Sequence, residues 1–320
     1  MATSAPSRRA AARVVTAPVG QPSGNRPGRR STPWLFLAPY LCFFGLFVLG
    51  PALFGLYVSL FDWHFTFPNR PFVGLDNYVK LFTPGTRDFE PFWRSMGATG
   101  TFTLLSVPLL VTLPLGVALL VNRPFRGRTA FRAIFFAPYV LGVAVVGVLW
   151  RFMLDTQHGI VNKLLGMVGL PDTTPWLQQL PWAWVSLVGA TLWWTLGFNA
   201  IIYLAGLQAI PRDQYEAAEL DGAGRWAQLR HVTLPGLRPV IVFIVMITVL
   251  ASANLFGQSY IMTAGDPNGA TRSAIMYMSE TGLGQFRMGA ASAMSYVLAV
   301  VLMVVSLLNF RFLAARRDDS

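Results

Sequence analysis

Six stretches of this chain carry no charged residue: 34–60, 95–122, 133–150, 173–211, 239–265 and 288–310. A helix crosses about 30 Å of hydrocarbon in about 20 residues, with a range of roughly 17–25. Every stretch is long enough. A charge at mid-bilayer costs about 2.5–3.5 kcal/mol on insertion scales, so six clean gaps in one chain read as six spans. The longest, 173–211, opens on a polar lead-in, Asp172-Thr173-Thr174-Pro175, which places its helix near 182–207. A buried core helix explains any one stretch, but not six in succession. Only helices or a closed barrel satisfy the backbone in lipid, and these runs are too long for barrel strands. The expected fold class is an all-α membrane protein with six transmembrane helices. Composition agrees: 54% of residues are hydrophobic and 12% charged, about half the charge of a soluble domain. That excludes disorder over most of the length and speaks against a soluble enzyme. Pro51, Pro108, Pro114 and Pro138 lie within or near the runs, where each removes a backbone hydrogen bond. Kinks for packing and hinges for gating are equally open readings.

The basic residues sort by side. The tail before Trp34, the second and fourth connections and the C-terminus hold 17 Lys and Arg, and the other three connections hold 8. The positive-inside rule then puts both termini in the cytoplasm. Acidic residues sharpen the asymmetry: 6 lie on the cytoplasmic side and 8 on the outer side, so the net charge of +11 falls wholly on one face. It is an orientation signal, not a nucleic-acid footprint. Residues 1–33, rich in Arg, Ser and Pro, read as a disordered basic cytoplasmic tail, in preference to a cleaved leader. The expected organisation continues as a first helix over 34–60, an outer loop over 61–94, a core of five helices over 95–315 and a short tail over 316–320.

One connection is unlike the rest. From Ile210-Pro211 it runs Arg212 to Pro235. Asp213 with Glu216 three residues later makes an N-cap and capping-box pattern. Gly222 and Gly224 end that helix, and a second short helix fits Arg225–Val232, with Pro235 opening the next span. The spacing predicts a helix–turn–helix outside the bilayer, in which Ala217 and Ala218 offer a small surface. A plain hairpin joining two spans accounts for it equally well.

These residues resemble a known family. Glu216-Ala217-Ala218, Gly222, Val232 and Leu234-Pro235 keep every spacing of the signature loop of bacterial ABC-importer permeases, with Val232 for the usual isoleucine. The resemblance implies that residues 212–235, with Asp221 among them, couple to a separate cytoplasmic ATPase. Phe72-Val73-Gly74-Leu75-Asp76-Asn77-Tyr78 and Ala205-Gly206-Leu207-Gln208-Ala209-Ile210-Pro211 look like carbohydrate-permease segments. So does Thr263-Ala264-Gly265-Asp266-Pro267 followed by Thr271, with Asp266 in place of a second glycine. The pattern covers roughly 34–315 and is most similar to maltose-, lactose- and glycerol-phosphate-type permeases, as the first of two non-identical permease subunits. It implies a second permease subunit, ATPase subunits that hold the ATP and Mg, an extracytoplasmic substrate-binding protein and a sugar cargo, in a bacterial cytoplasmic membrane.

The chain itself holds no machinery for bond chemistry. Neither Lys80 nor Lys163 follows a glycine, so there is no phosphate-binding Gly-x-x-x-x-Gly-Lys-Ser/Thr loop. His64, His158 and His231 are scattered, and the lone Cys42 excludes an internal disulfide or a cysteine metal site. No catalytic residue, metal site or cofactor is expected in this chain. Ser292 and Ser295 lie in an apolar span, but no histidine lies in any span to serve as their base. An ion-coupled secondary transporter is the other reading, and the charge-free spans speak against it.

Polar and aromatic residues within spans are the natural pathway candidates. Span four offers Trp193, Trp194, Thr195, Phe198 and Asn199; span five, Ser252, Asn254, Gln258 and Ser259; span six, Ser292, Ser295 and Tyr296; span three, Tyr139. Resemblance to the maltose-type permease brings Tyr139, Thr191, Trp194, Thr195, Phe198, Ser252 and Leu255 to its sugar-contacting positions. Asn254 and Gln258 complete the candidate pathway. Helix-packing glue is the alternative role for each.

Overall fold

A computed structural model describes residues 32–122 and 126–314. The basic tail over 1–33 lies outside the described residues up to position 31, and the tail over 316–320 lies wholly outside them. The chain divides into two units, one ending at Leu53 and one beginning at Phe54. Helix α1 (Thr32–Phe44) passes through a π-turn (Gly45–Leu49) into α2 (Gly50–Ser59). Then come α3 (Asp76–Phe82), α4 (Phe89–Asn122), α5 (Arg128–Phe136), α6 (Val143–Met153) and α7 (Ile160–Met167). The order continues with α8 (Trp182–Ala209), α9 (Arg212–Leu220), α10 (Arg225–Gln228), α11 (Leu234–Ala253), α12 (Ala274–Ser279) and α13 (Met288–Ala314). Two isolated bridges, Phe61 with Phe72 and His64 with Arg287, are the extended pairings among the described residues.

Among the described residues, five helical runs are long and apolar enough to cross a membrane: Phe36–Ser59, Phe89–Asn122, Trp182–Ala209, Arg225–Ala253 and Met288–Arg311. The third expected span, 133–150, is not one straight helix. Thr129–Val140 and Val143–Met153 meet at 99°, and they make a sixth crossing only if counted as one broken span. Around Pro138 the chain tightens into a 3₁₀ turn, and Leu141 and Gly142 are extended. The Leu141 carbonyl, lost to the helix ladder, accepts a hydrogen bond from Trp194 Nε1 at 3.0 Å. The fifth expected span, 239–265, also ends early. Its helix stops at Ala253, where Asn254 turns its side-chain amide back onto Leu250 O at 2.7 Å. The segment beyond folds against α6: a Cβ on Gly257 would stand 2.6 Å from a Val143 methyl. Absence of charge shows where lipid is tolerated, not where a helix bends.

In lipid, apolar surface does not drive helices together; close backbone approach and hydrogen bonds do. α4, α8 and α11 pack on one another in this way. Pro114 has no N–H to give to Leu110 O, and Asn199 Nδ2 from α8 donates there at 2.9 Å. The proline's freed carbonyl is thus met by a neighbour. Ser106 on α4 and Ser252 on α11 share a buried hydrogen bond of 3.1 Å. Replacing Asn199 with the isosteric leucine should lower stability by about 1 kcal/mol. Stranding a buried carbonyl costs ~1–3 kcal/mol in water-soluble proteins, and measured membrane pairs average about 0.6. A thermal midpoint in detergent checks it; an unchanged midpoint would mean that the bond contributes nothing.

The two loop segments that resemble carbohydrate permeases brace the fold. Gly74 takes a φ of 58°, and Asn77 Nδ2 donates to Ser59 O at 2.9 Å and Phe61 O at 3.0 Å, closing carbonyls left open at the end of α2. Tyr78 OH pairs with Ser59 Oγ at 2.7 Å. In the second segment Thr263 Oγ1 pairs with Thr271 Oγ1 at 2.8 Å, and Thr271 Oγ1 donates to Asp266 O at 2.6 Å. Gly265 has a φ of 85°, whereas Asp266 is not in the left-handed region. The aspartate therefore replaces a glycine at a place where no glycine is needed. Nearby, Arg287 grips Asp88 with two bonds, 2.7 and 2.5 Å. Asp88 is 3% exposed, and its carboxylate holds the Arg287 guanidinium above its ordinary pKa against the opposing pull of burial.

Candidate functional site

Between α4, α8, α11 and the broken third helix lies a cavity of about 310 Å³. Eight of the nine residues expected in a pathway line it: Tyr139, Thr191, Trp194, Thr195, Phe198, Ser252, Leu255 and Gln258. Tyr139 stacks on Phe198 with ring centres 4.6 Å apart and 15° between planes. Its ring centre lies 6.4 Å from that of Trp194, whose indole is held in place by the Leu141 carbonyl. Thr191 and Thr195 return their hydroxyl protons to Leu187 O and Thr191 O, each at 2.8 Å. Gln258 Nε2 reaches Thr191 Oγ1 at 3.4 Å. Among the described residues that line the cavity, none is charged.

Asn254 is the exception. It lines a different groove with Ile275, Ser292 and Ser295. Two helical positions beyond Ser252 place it about 200° around the axis, on the opposite face. Trp193 likewise turns away, edge-on to Trp150 at 5.8 Å, and Ser259 is buried against Thr271 O. Phe102, Leu110, Phe243, Ile247, Thr248 and Ala251, none of them expected from the sequence, also line the cavity, as does Asn199. Thr248 was within reach, because it lies one turn before Ser252 and two before Leu255.

The connection over 210–235 folds as two helical pieces. α9 begins at Arg212, directly after Pro211, so the N-cap is Pro211 and not Asp213. Asp213 sits inside the first turn, where its Oδ1 accepts from Gln214 N at 3.0 Å and its charge still favours the helix N-terminus. The capping box with Glu216 does not form, since a proline at the cap has no side-chain acceptor. At the other end Ala223 N donates to Ala218 O at 2.9 Å and Gly222 N to Glu219 O at 3.0 Å. That is a Schellman ending with Gly222, at φ 78°, as its left-handed residue. Glu216, Ala217, Asp221, Gly222 and Pro235 are exposed, while Ala218 and Leu234 are half-buried. Leu220 is 89% and Trp226 75% exposed. α10 does not stop before Pro235: a π-turn over Leu229–Thr233 carries it straight into α11, absorbing the backbone bond that Pro235 cannot make. Tyr215 OH pairs with Thr233 Oγ1 at 3.0 Å, tying α9 to this run.

The helical bundle, its uncharged internal cavity and the paired helices at 212–235 define the membrane subunit of a transporter. Residues 89–317 match the family described as binding-protein-dependent transport system inner membrane component, and the chain belongs to that family. It is a multi-pass membrane protein, a permease of the ABC-importer type. Among its relatives, the trehalose/maltose transport system permease of Thermococcus litoralis is 32% identical, covering 89% of this chain and 94% of its own. A probable ABC transporter permease of Bacillus subtilis is 30% identical over 90% and 97% of the two chains. A solved bacterial alginate ABC transporter, in complex with a pentasaccharide-bound periplasmic protein, superposes with a TM-score of 0.74. Its identity is 27%, and it covers 87% of this chain and 92% of its own.

Proposed function

We propose that this chain carries a sugar or oligosaccharide across the cytoplasmic membrane as one of two permease subunits, driven by ATPase subunits on the cytoplasmic side. The supporting observation is the cavity: an aromatic trio of Tyr139, Trp194 and Phe198 shares its wall with the hydroxyls and amide of Ser252, Thr195 and Gln258, and no described residue of its lining is charged. Sugars are held by stacking on aromatic faces and by hydrogen bonds to their hydroxyls. The relatives' names point the same way. In this reading six crossings place both termini inside, in keeping with the one-sided charge of +11.

The exposed Glu216, Ala217, Asp221 and Gly222 and the half-buried Ala218, with Leu220 and Trp226 beside them, serve as the ATPase docking surface. Leu234 and Pro235 lie where the second helical piece enters α11. Because that piece is continuous with α11, a push on it moves Thr248 and Ser252 in the cavity wall. ATP and Mg belong to the partner. A binding protein delivers the cargo to the outer loops. Co-purification from the native membrane should bring down a second permease and an ATPase. Adding the binding protein with its sugar should raise ATP hydrolysis several-fold. An ATPase bound to the chain but indifferent to every sugar would contradict the carbohydrate cargo.

A further inference from the structure

Thr248 differs from the other hydroxyls of the cavity. A helical threonine commonly donates to the carbonyl one turn back, as Thr191 and Thr195 do here. Thr248 is 4% exposed, lines the cavity, and its Oγ1 has no hydrogen-bond partner among the described residues. The neighbouring polar groups are already engaged: Ser252 with Ser106, Gln258 with Thr191, and Asn199 with Leu110. A buried hydroxyl left unpaired is unfavourable, and it gains most from whatever enters beside it.

No described residue of the wall around Thr248 is charged. A carboxylate or sulfonate brought against it would lose its water and meet no cation from this chain, the arrangement a low-dielectric site penalises most. A neutral pyranose loses little against the aromatic rings and finds in Thr248 a hydroxyl without a partner among the described residues. The fold resembles that of an importer of the acidic polysaccharide alginate, yet this wall offers no basic residue to an acidic cargo. Resting on the import function proposed above, we propose that Thr248 hydrogen-bonds a hydroxyl of an uncharged carbohydrate, in a cavity that rejects anionic sugars.

The test uses the complete importer in liposomes, with labelled maltose, trehalose and arabinobiose as neutral probes and an alginate trisaccharide as the anionic one. The wild type should accumulate a neutral probe and exclude the uronate. Thr248→Val should cut uptake at limiting sugar about tenfold, the loss of one hydrogen bond, mainly through KM. Thr248→Ser should restore it. Preference for the uronate overturns the inference, as does a Thr248→Val importer equal to the wild type. Equal losses in the Val and Ser variants would also overturn it, because the methyl rather than the hydroxyl would then be at work. Any of these leaves sugar import standing. No uptake of any probe by an assembled, ATP-hydrolysing importer removes the import reading and this inference with it.

Discussion

Gly222→Trp is expected to abolish ATP-driven uptake while the chain still inserts into the membrane and accumulates to wild-type levels. Gly222 is the left-handed residue of the Schellman ending of α9, at φ 78°, and any L side chain there is strained by roughly 1–2 kcal/mol. A Cβ added at this position meets no atom within 4 Å, so nothing in the bundle is displaced. The damage falls on the end of α9 and on the surface that Ala217, Ala218 and Gly222 present. A strain of that size is small beside the 5–15 kcal/mol of a folded domain, but the bulk of an indole is large for a close contact. Gly222→Ala, which adds the strain without the bulk, should retain part of the activity. Uptake assays alongside membrane yield separate the two effects. Undiminished uptake by the Trp variant would contradict the role given to this surface.

Gly197→Leu should fail differently, by loss of folded protein. A Cβ at 197 would stand 2.6 Å from the carbonyl carbon of Phe135 and 2.8 Å from Phe136 Cα. These are backbone atoms, which cannot rotate aside. α8 and the first half of the broken third helix must separate, and the Trp194–Leu141 bond and the Tyr139–Phe198 stack lie in the same contact. Overpacking a core costs about 1–3 kcal/mol where side chains can give; against backbone, more than about 4 kcal/mol is expected. Even Gly197→Ala should lower the thermal midpoint in detergent by many degrees. A wild-type midpoint for the Ala variant would contradict the helix spacing described here. The two glycines thus matter for opposite reasons, one for its φ and one for its missing side chain.

Much of the architecture was legible because charge is so costly in lipid. The gaps between charged residues located the long helices, although α4 begins at Phe89, six residues before its gap, and α11 ends at Ala253, well before the end of its own. What the gaps could not register was direction. Pro138 and Gly142 held the signal for the broken third helix, and Asn254 and Gly257 for the early end of the fifth. The cavity was legible where family landmarks fixed the register, which is why Tyr139, Trp194 and Ser252 converge. Polarity alone misplaced Asn254, because a polar residue on the wrong face reads the same in sequence. It also passed over Thr248, whose importance lies in a hydrogen bond it does not make. Asp213 misled for a related reason: an acidic residue suits both the cap and the first turn, and Pro211 decides between them.

ATP-driven sugar uptake by the reconstituted importer tests the central claim most directly. Liposomes carrying this chain with its second permease and ATPase, supplied with binding protein and labelled sugar, should accumulate the sugar when ATP is present. The same chain alone, under an imposed proton or sodium gradient, should accumulate none. Accumulation by the chain alone down an ion gradient would contradict the account.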